Sequence, residues 1–199
     1  MNLYKFNIRK QHSLKDLIKK YRSVIKFIVV FLAVYGILTV AYKLYLDKSS
    51  GEKNYPDYFT HLVSVQSKAL LNTIGYETQM NPHPNEPSIK IIVRDKYVAR
   101  VVEGCNSISI IILFIAFLVA FSGRPKVTFF YALAGSVLIY TVNLVRIVIL
   151  SVGLFHYPWR RNILHTVIFP LIIYGLVFIL WMIWVKRFSH ISKRNVKKT

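Results

Sequence analysis

Four stretches of this chain run uncharged for long enough that a water-exposed fold has nowhere to put them. Phe27–Tyr42 carries no charge in 16 residues. It widens to about 24–46 if the flanking Lys26 and Lys43 snorkel toward the headgroups. Asn106–Ser122 is uncharged over 17 residues, Val127–Val145 over 19 and Ile163–Val185 over 23. Past Val145 the third run continues beyond Arg146 to Leu154. Roughly 20 helical residues, at about 1.5 Å each, cross the hydrocarbon core of a bilayer. The expected fold is therefore an all-α polytopic membrane protein with about four transmembrane helices, the second at the short end of the range.

The first block is followed by Tyr42-Lys43-Leu44-Tyr45, where a cleaved signal peptide would carry small residues. It is expected to remain as an anchor. A net charge of +19 beside 54% hydrophobic residues raises the question of nucleic acid. The basic residues sit in tails next to apolar blocks, where anionic headgroups already account for them, and no nucleic-acid recognition motif is visible. The lipid bilayer is the expected partner and nucleic acid is not.

Orientation follows from those basic residues. Segment 1–26 carries eight, Lys186 onward six, and the turn between the second and third spans carries Arg124 and Lys126. With four spans all three regions share one side, so both termini are expected in the cytoplasm. The other side receives the long segment 47–104, with seven of the eight acidic residues, and the short loop 155–162. Arg160 and Arg161 run against the rule there. The expected organisation is a basic N-terminal segment 1–23, a first span 24–46, an extracytoplasmic region 47–104, a three-helix membrane core 105–185 and a basic tail 186–199.

Within 55–75, Phe59, Leu62, Val63, Gln66, Leu70 and Ile74 recur at helical spacing. That pattern predicts an amphipathic helix resting on the outer membrane surface. Asn81-Pro82-His83-Pro84-Asn85-Glu86-Pro87 reads as a loop. Ile89–Val93 and Tyr97–Val102 are rich in β-branched residues around Arg94-Asp95-Lys96 and predict a short hairpin. Its second strand leads into Glu103-Gly104-Cys105, which holds the single cysteine of the chain. One cysteine excludes an internal disulfide and any multi-cysteine metal site, and no metal or cofactor is expected.

The four-span topology brings three reactive side chains to one depth. Cys105 opens the second span at the outer face. Arg146 lies 19 residues after Val127, about 28 Å along the third. His165 falls in the first turn of the fourth. A histidine can take the proton of a thiol, and a nearby cation or the start of a helix favours the thiolate. A guanidinium can also stabilise the oxyanion formed when a thiolate attacks a carbonyl. Asn143, three residues before Arg146, shares its helix face and can orient it or meet substrate backbone. Glu103 and Asn106 flank the thiol as supporting residues. Taken singly, each has an ordinary reading. A lone membrane cysteine is usually an inert small hydrophobe or a lipidation site, an arginine at a helix end snorkels, and a histidine there is an interfacial residue. Phe178, Trp181 and Trp184 read as an aromatic interface belt.

The ordered set Glu103-Gly104-Cys105-Asn106-Ser107, Asn143-Leu144-Val145-Arg146-Ile147 and then His165 resembles the exosortase/archaeosortase family, and within it the short branch called exosortase F. These are integral-membrane cysteine transpeptidases. The chain departs from the pattern in two places. Many members carry glycine where Ser107 stands, and many have about eight spans. The resemblance implies that Cys105 is the nucleophile, Arg146 the electrostatic stabiliser and His165 the acid/base. It also implies the substrate: a secreted protein anchored by a C-terminal sorting helix and a basic tail, passed through a thioester to an acceptor such as a lipid or glycan. The reading from another class is a non-enzymatic membrane assembly or scaffold protein in which Arg146 and Asn143 hold helices together.

Overall fold

The computed structural model describes residues 20–49, 56–121 and 123–188. Most of the basic N-terminal segment and of the basic tail, with Lys5, Arg9, Lys10, Lys15, Lys19, Lys193, Arg194, Lys197 and Lys198, lies outside the described residues. Each apolar block becomes a helix: α1 spans Arg22–Ser49, α3 Ile108–Ala120 and α4 Pro125–His156. The last block is a continuous helical run, Pro158–Arg187, ending in α5, Phe169–Arg187. Among the described residues, α1, α4 and this last run are long and apolar enough to cross a membrane. At 13 residues, α3 covers about 20 Å and is shorter than the span expected over 106–122.

Between α1 and α3 stand a helix, α2 (Tyr58–Thr73), and three strands: β1 (Thr78–Pro82), β2 (Ser88–Val93) and β3 (Lys96–Val102). The sheet is antiparallel in the order β1-β2-β3. Arg94 and Asp95, with φ of 46° and 61°, make the two-residue turn of the expected hairpin. The strand β1 was not expected. It takes in Asn81 and Pro82, which the sequence places in a loop; proline is tolerated because it ends an edge strand.

Helix α2 begins at Asp57, whose Oδ1 accepts from the backbone N–H groups of Phe59 (3.0 Å) and Thr60 (3.1 Å). Its buried stripe is Thr60, Val63, Ser64, Ser67 and Leu71, while Leu70 and Ile74 are exposed. The face turned inward is thus rotated from the expected apolar one and is partly polar. It is turned toward protein: Val63 and Leu71 join Ile91, Val93 and Val101 of the sheet and Ile147 of α4 in one core.

That core explains why α4 stays apolar beyond Arg146. The helix does not approach its end there but continues ten residues to His156, and Ile147, Val148, Val152 and Phe155 pack beneath the sheet. A second core, Phe114, Leu118, Ile139, Val177, Leu180 and Trp184, ties α3, α4 and α5 together at the opposite end of the bundle. Helix α1 lies along α3, with Phe27 against Phe117 and Phe121. Trp184 is fully buried and stacks on Phe188, so it is a packing residue rather than part of a belt; Phe178 does face outward.

Candidate functional site

The end of β3 passes into a single 3-10 turn, Glu103–Cys105, and α3 starts only at Ile108. The thiol therefore sits in its own turn ahead of the helix, not in the helix's first turn. Two buried residues fix that turn. Asn106 is 0% exposed. Its Nδ2 donates to the Tyr42 hydroxyl (2.6 Å) and to Thr60 Oγ1 (3.2 Å), and its Oδ1 accepts from the Ile108 N–H (3.1 Å). One side chain thereby joins α1, α2 and the start of α3. Ser107 adopts φ of 66°, the left-handed region where a Cβ is a burden and glycine is at ease. The chain bears that strain to turn from the sheet into α3.

Asn143, 1% exposed, approaches from α4. Its Nδ2 donates to the backbone carbonyl of Cys105 (2.8 Å), and its Oδ1 accepts from Arg146 Nη1 (3.2 Å). The i, i+3 spacing that puts both on one face thus yields a relay from guanidinium to amide to the cysteine backbone. The guanidinium carbon lies 5.8 Å from the ring centroid of buried Phe169, at the start of α5. Arg146 Nε is buried and has no hydrogen-bond partner among the described residues.

His165 lies in a π-helical turn, Leu164–Ile168, inside the last helical run. Pro170 gives the local cause. It has no N–H for the carbonyl four residues back, and its ring crowds that carbonyl, so the helix widens by a residue. The Phe169 N–H accordingly donates to the Leu164 carbonyl, five residues earlier. The widened turn leaves the His165 ring exposed.

Cys105 and His165 line one cavity of about 240 Å³. Its other lining residues are Val98, Ala99, Arg100 and Val102 of β3, Leu150 and Leu154 of α4, and Arg161, Asn162 and Thr166 around His165 in the last helical run. Arg146 is not among the lining residues; it stands one helical turn from Leu150 and reaches Cys105 through Asn143. The three expected groups thus divide into a thiol and an imidazole that share a cavity, and a guanidinium behind the thiol's backbone. Asn106 is a structural pin of the turn and does not line the cavity.

Burial pushes the Glu103 carboxyl above the usual carboxylate range, and the nearby charges of Asp57 and Asp47 add to the effect. The cavity's own charges are positive. Arg100 is paired with Glu86, whereas Arg161 has no ion pair among the described residues. Neither is legible as a site residue in the sequence. The one available signal was that Arg160 and Arg161 occupy a loop where the charge rule disfavours them. A thiol and an imidazole lining one small cavity, with a cation behind the thiol's backbone, are the parts needed for nucleophilic attack on an acyl group. No protein-family model, curated protein or solved structure matches this chain.

Proposed function

We propose that this protein is a membrane-embedded cysteine protease/transpeptidase of the exosortase type. The observation that carries the reading is that Cys105 and His165, sixty residues apart in the chain, face the same cavity. Ser107 adds support, because its left-handed backbone is the conformation that the glycine common at this position in the exosortase family would relieve.

In the proposed reaction His165 takes the proton of the Cys105 thiol, and the thiolate attacks the carbonyl carbon of a peptide bond. The tetrahedral oxyanion collapses, the C–N bond breaks, and His165 returns the proton to the leaving amine. The acyl group remains on sulfur as a thioester until an acceptor amine, an acceptor hydroxyl or water displaces it. Arg146 acts from behind the thiol: its charge favours the thiolate and the developing oxyanion through space, and it positions the cysteine turn through Asn143. Glu103 and Asn106 support the turn.

The proposed setting is the bacterial cytoplasmic membrane, with four spans, both termini in the cytoplasm and the cavity on the outer face. The short α3 serves as the second span. The proposed substrate is a secreted protein held by a C-terminal helix and a basic tail, since a site at the membrane meets such a peptide bond only when the substrate is anchored beside it. The acceptor is a lipid or glycan.

The scaffold reading has its own observation. Asn143 and Arg146 connect the cysteine turn, α4 and the start of α5, which is a packing role whether or not chemistry occurs. One experiment separates the two. In cells producing Cys105→Ser, tail-anchored secreted proteins should accumulate uncleaved, and a hydroxylamine-sensitive thioester should appear only with the wild type. Normal tail release by the serine variant, with no thioester to trap, leaves the scaffold standing.

A further inference from the structure

We propose that the free edge of β3 is the substrate-binding strand of this site: the polypeptide segment just upstream of the scissile bond adds to the sheet as a fourth strand. The inference rests on the proposed thiol chemistry and adds how the substrate is held.

Three observations converge on that edge. The sheet order leaves β3 paired on one side only. Among the described residues, the backbone of 96–101 makes no hydrogen bond outside its ladder with β2, so its outward N–H and C=O groups are open, while Val102 caps the 3-10 turn that follows. Successive side chains of a strand point to opposite faces. Val98 is the extra residue of a bulge, but Ala99 and Arg100 are successive ladder residues, so a cavity lined by both runs along the edge of the strand and not over one face. The same cavity holds Cys105, three residues beyond the end of β3.

Exposed strand edges are usually blunted, as β1 is by Pro82. The edge of β3 instead borders a cavity whose other lining residues include Arg161, Asn162, His165 and Thr166, all of them exposed. Main-chain hydrogen bonds from an edge would hold an extended peptide whatever its side chains, with pockets reading alternate residues. The direction follows from connectivity. From Cys105 the chain enters the helical bundle through α3, whereas β3 leads away from it. A substrate whose downstream part is a membrane helix places that helix on the α3 side. Its upstream residues then lie along β3, parallel to it and running toward the thiol.

The test uses the full chain in lipid nanodiscs and thiol-alkylating peptides as probes. Cys105 is the single cysteine, so its modification by a chloromethyl ketone, in which sulfur displaces chloride, is read directly by mass. A sequence-randomised mixture of capped tetrapeptidyl chloromethyl ketones should label at least roughly tenfold faster than capped single-residue reagents. N-methylation of the tetrapeptides should slow labelling roughly tenfold at every second residue and little in between, because only alternate amides of an added strand face the sheet. Amide exchange of 96–102 should slow in the tetrapeptide adduct and not in the single-residue adduct. Equal labelling rates, N-methyl effects without alternation, or protection outside 96–102 would overturn strand addition while leaving the reactive thiol intact. Failure of Cys105 to react with any of these reagents or with iodoacetamide is a different result: it removes the thiol chemistry, and this inference with it.

Discussion

The two ends of the helical bundle are built from different materials. At the end that carries the sheet, the interior holds Asp57, Thr60, Ser64, Ser67, Asn106, Ser107, Asn143 and Ser151, all buried. At the other end Phe114, Leu118, Ile139, Leu180 and Trp184 close on one another, and the rings fit because Gly123 and Gly135 leave space for Trp184 and Phe114. Among the described residues every buried Ser, Thr, Asn and Asp belongs to the sheet end, while the buried polar atoms of the aromatic end are the indole N–H groups of Trp181 and Trp184. Buried polar groups cost free energy unless they are paired, but once paired they hold one geometry. The aromatic end supplies packing, and the polar end fixes the turn on which Cys105 sits.

The largest effect that would test this division is expected from Arg146→Gln. A neutral side chain of similar reach keeps a polar contact to Asn143 but removes the cation behind the cysteine turn. Release of a tail-anchored substrate should fall more than about tenfold, because the charge acts on the thiolate and the oxyanion from behind the turn and not as a direct donor. The thermal unfolding midpoint in detergent should move little. Retention of more than about a tenth of wild-type activity would remove the arginine from the chemistry. Equal loss of fold and function would make it a packing residue, as the scaffold reading holds.

Asn106→Ala comes next and acts on the same end through structure. It deletes bonds to Tyr42, Thr60 and the Ile108 N–H, leaving partners in a poorly solvated turn. The expected loss is about 1–3 kcal/mol of stability, accompanied by reduced activity because the turn beneath the thiol loosens. An unchanged midpoint would mean that water or a neighbour takes over these bonds, and that the polar interior does not define the turn.

Gly135→Ala probes the opposite end and should separate the two effects. An alanine in a helix ordinarily gains up to about 1 kcal/mol over glycine. Here the added Cβ would collide with the buried ring of Phe114. Overpacking of this kind costs about 1–3 kcal/mol, so a net loss of about 1 kcal/mol is expected, with activity per folded molecule unchanged. A gain in stability would show that α3 and α4 can move apart freely, and that the aromatic end is less tightly specified than the polar one.

Sequence patterning reveals these ends unequally. The long blocks that become α1, α4 and the last helical run are plain, because uncharged length alone forces them out of water. The β2–β3 hairpin is legible from its β-branched residues. The stripe of α2 is not, because it buries Thr60, Ser64 and Ser67 against other protein, and hydrophobic periodicity does not register small polar residues. The end of α4 is legible, since the apolar run to Leu154 stops two residues short of His156, but its use is not: the run after Arg146 covers the sheet, which looks the same as lipid contact in a one-dimensional pattern. For the site, topology placed Cys105, Arg146 and His165 at one level, but it carried no information on azimuth. Two of the three turn into the cavity and Arg146 stands behind it, which depends on helix rotation. The π-helical turn at His165 was signalled by Pro170, whose consequence for the histidine is clear only when the ladder is counted.

The smallest expected effect concerns Glu103, at the border between the polar interior and solvent. Burial first, then the charges of Asp57 and Asp47, raise its folded-state pKa above the unfolded one. The folded protein therefore holds a proton that the unfolded chain releases. Between the two values unfolding liberates protons, so stability must fall as pH rises from the usual carboxylate range through the raised pKa. Glu103→Gln has no proton to lose and should lack this decline, so it should be the more stable of the two above the window and nearly equal to wild type below it. Unfolding midpoints measured against pH for both proteins check the sign. Superimposed profiles would show that the fold does not desolvate this carboxyl, and would place Glu103 outside the polar interior that sets the polar end apart from the aromatic one.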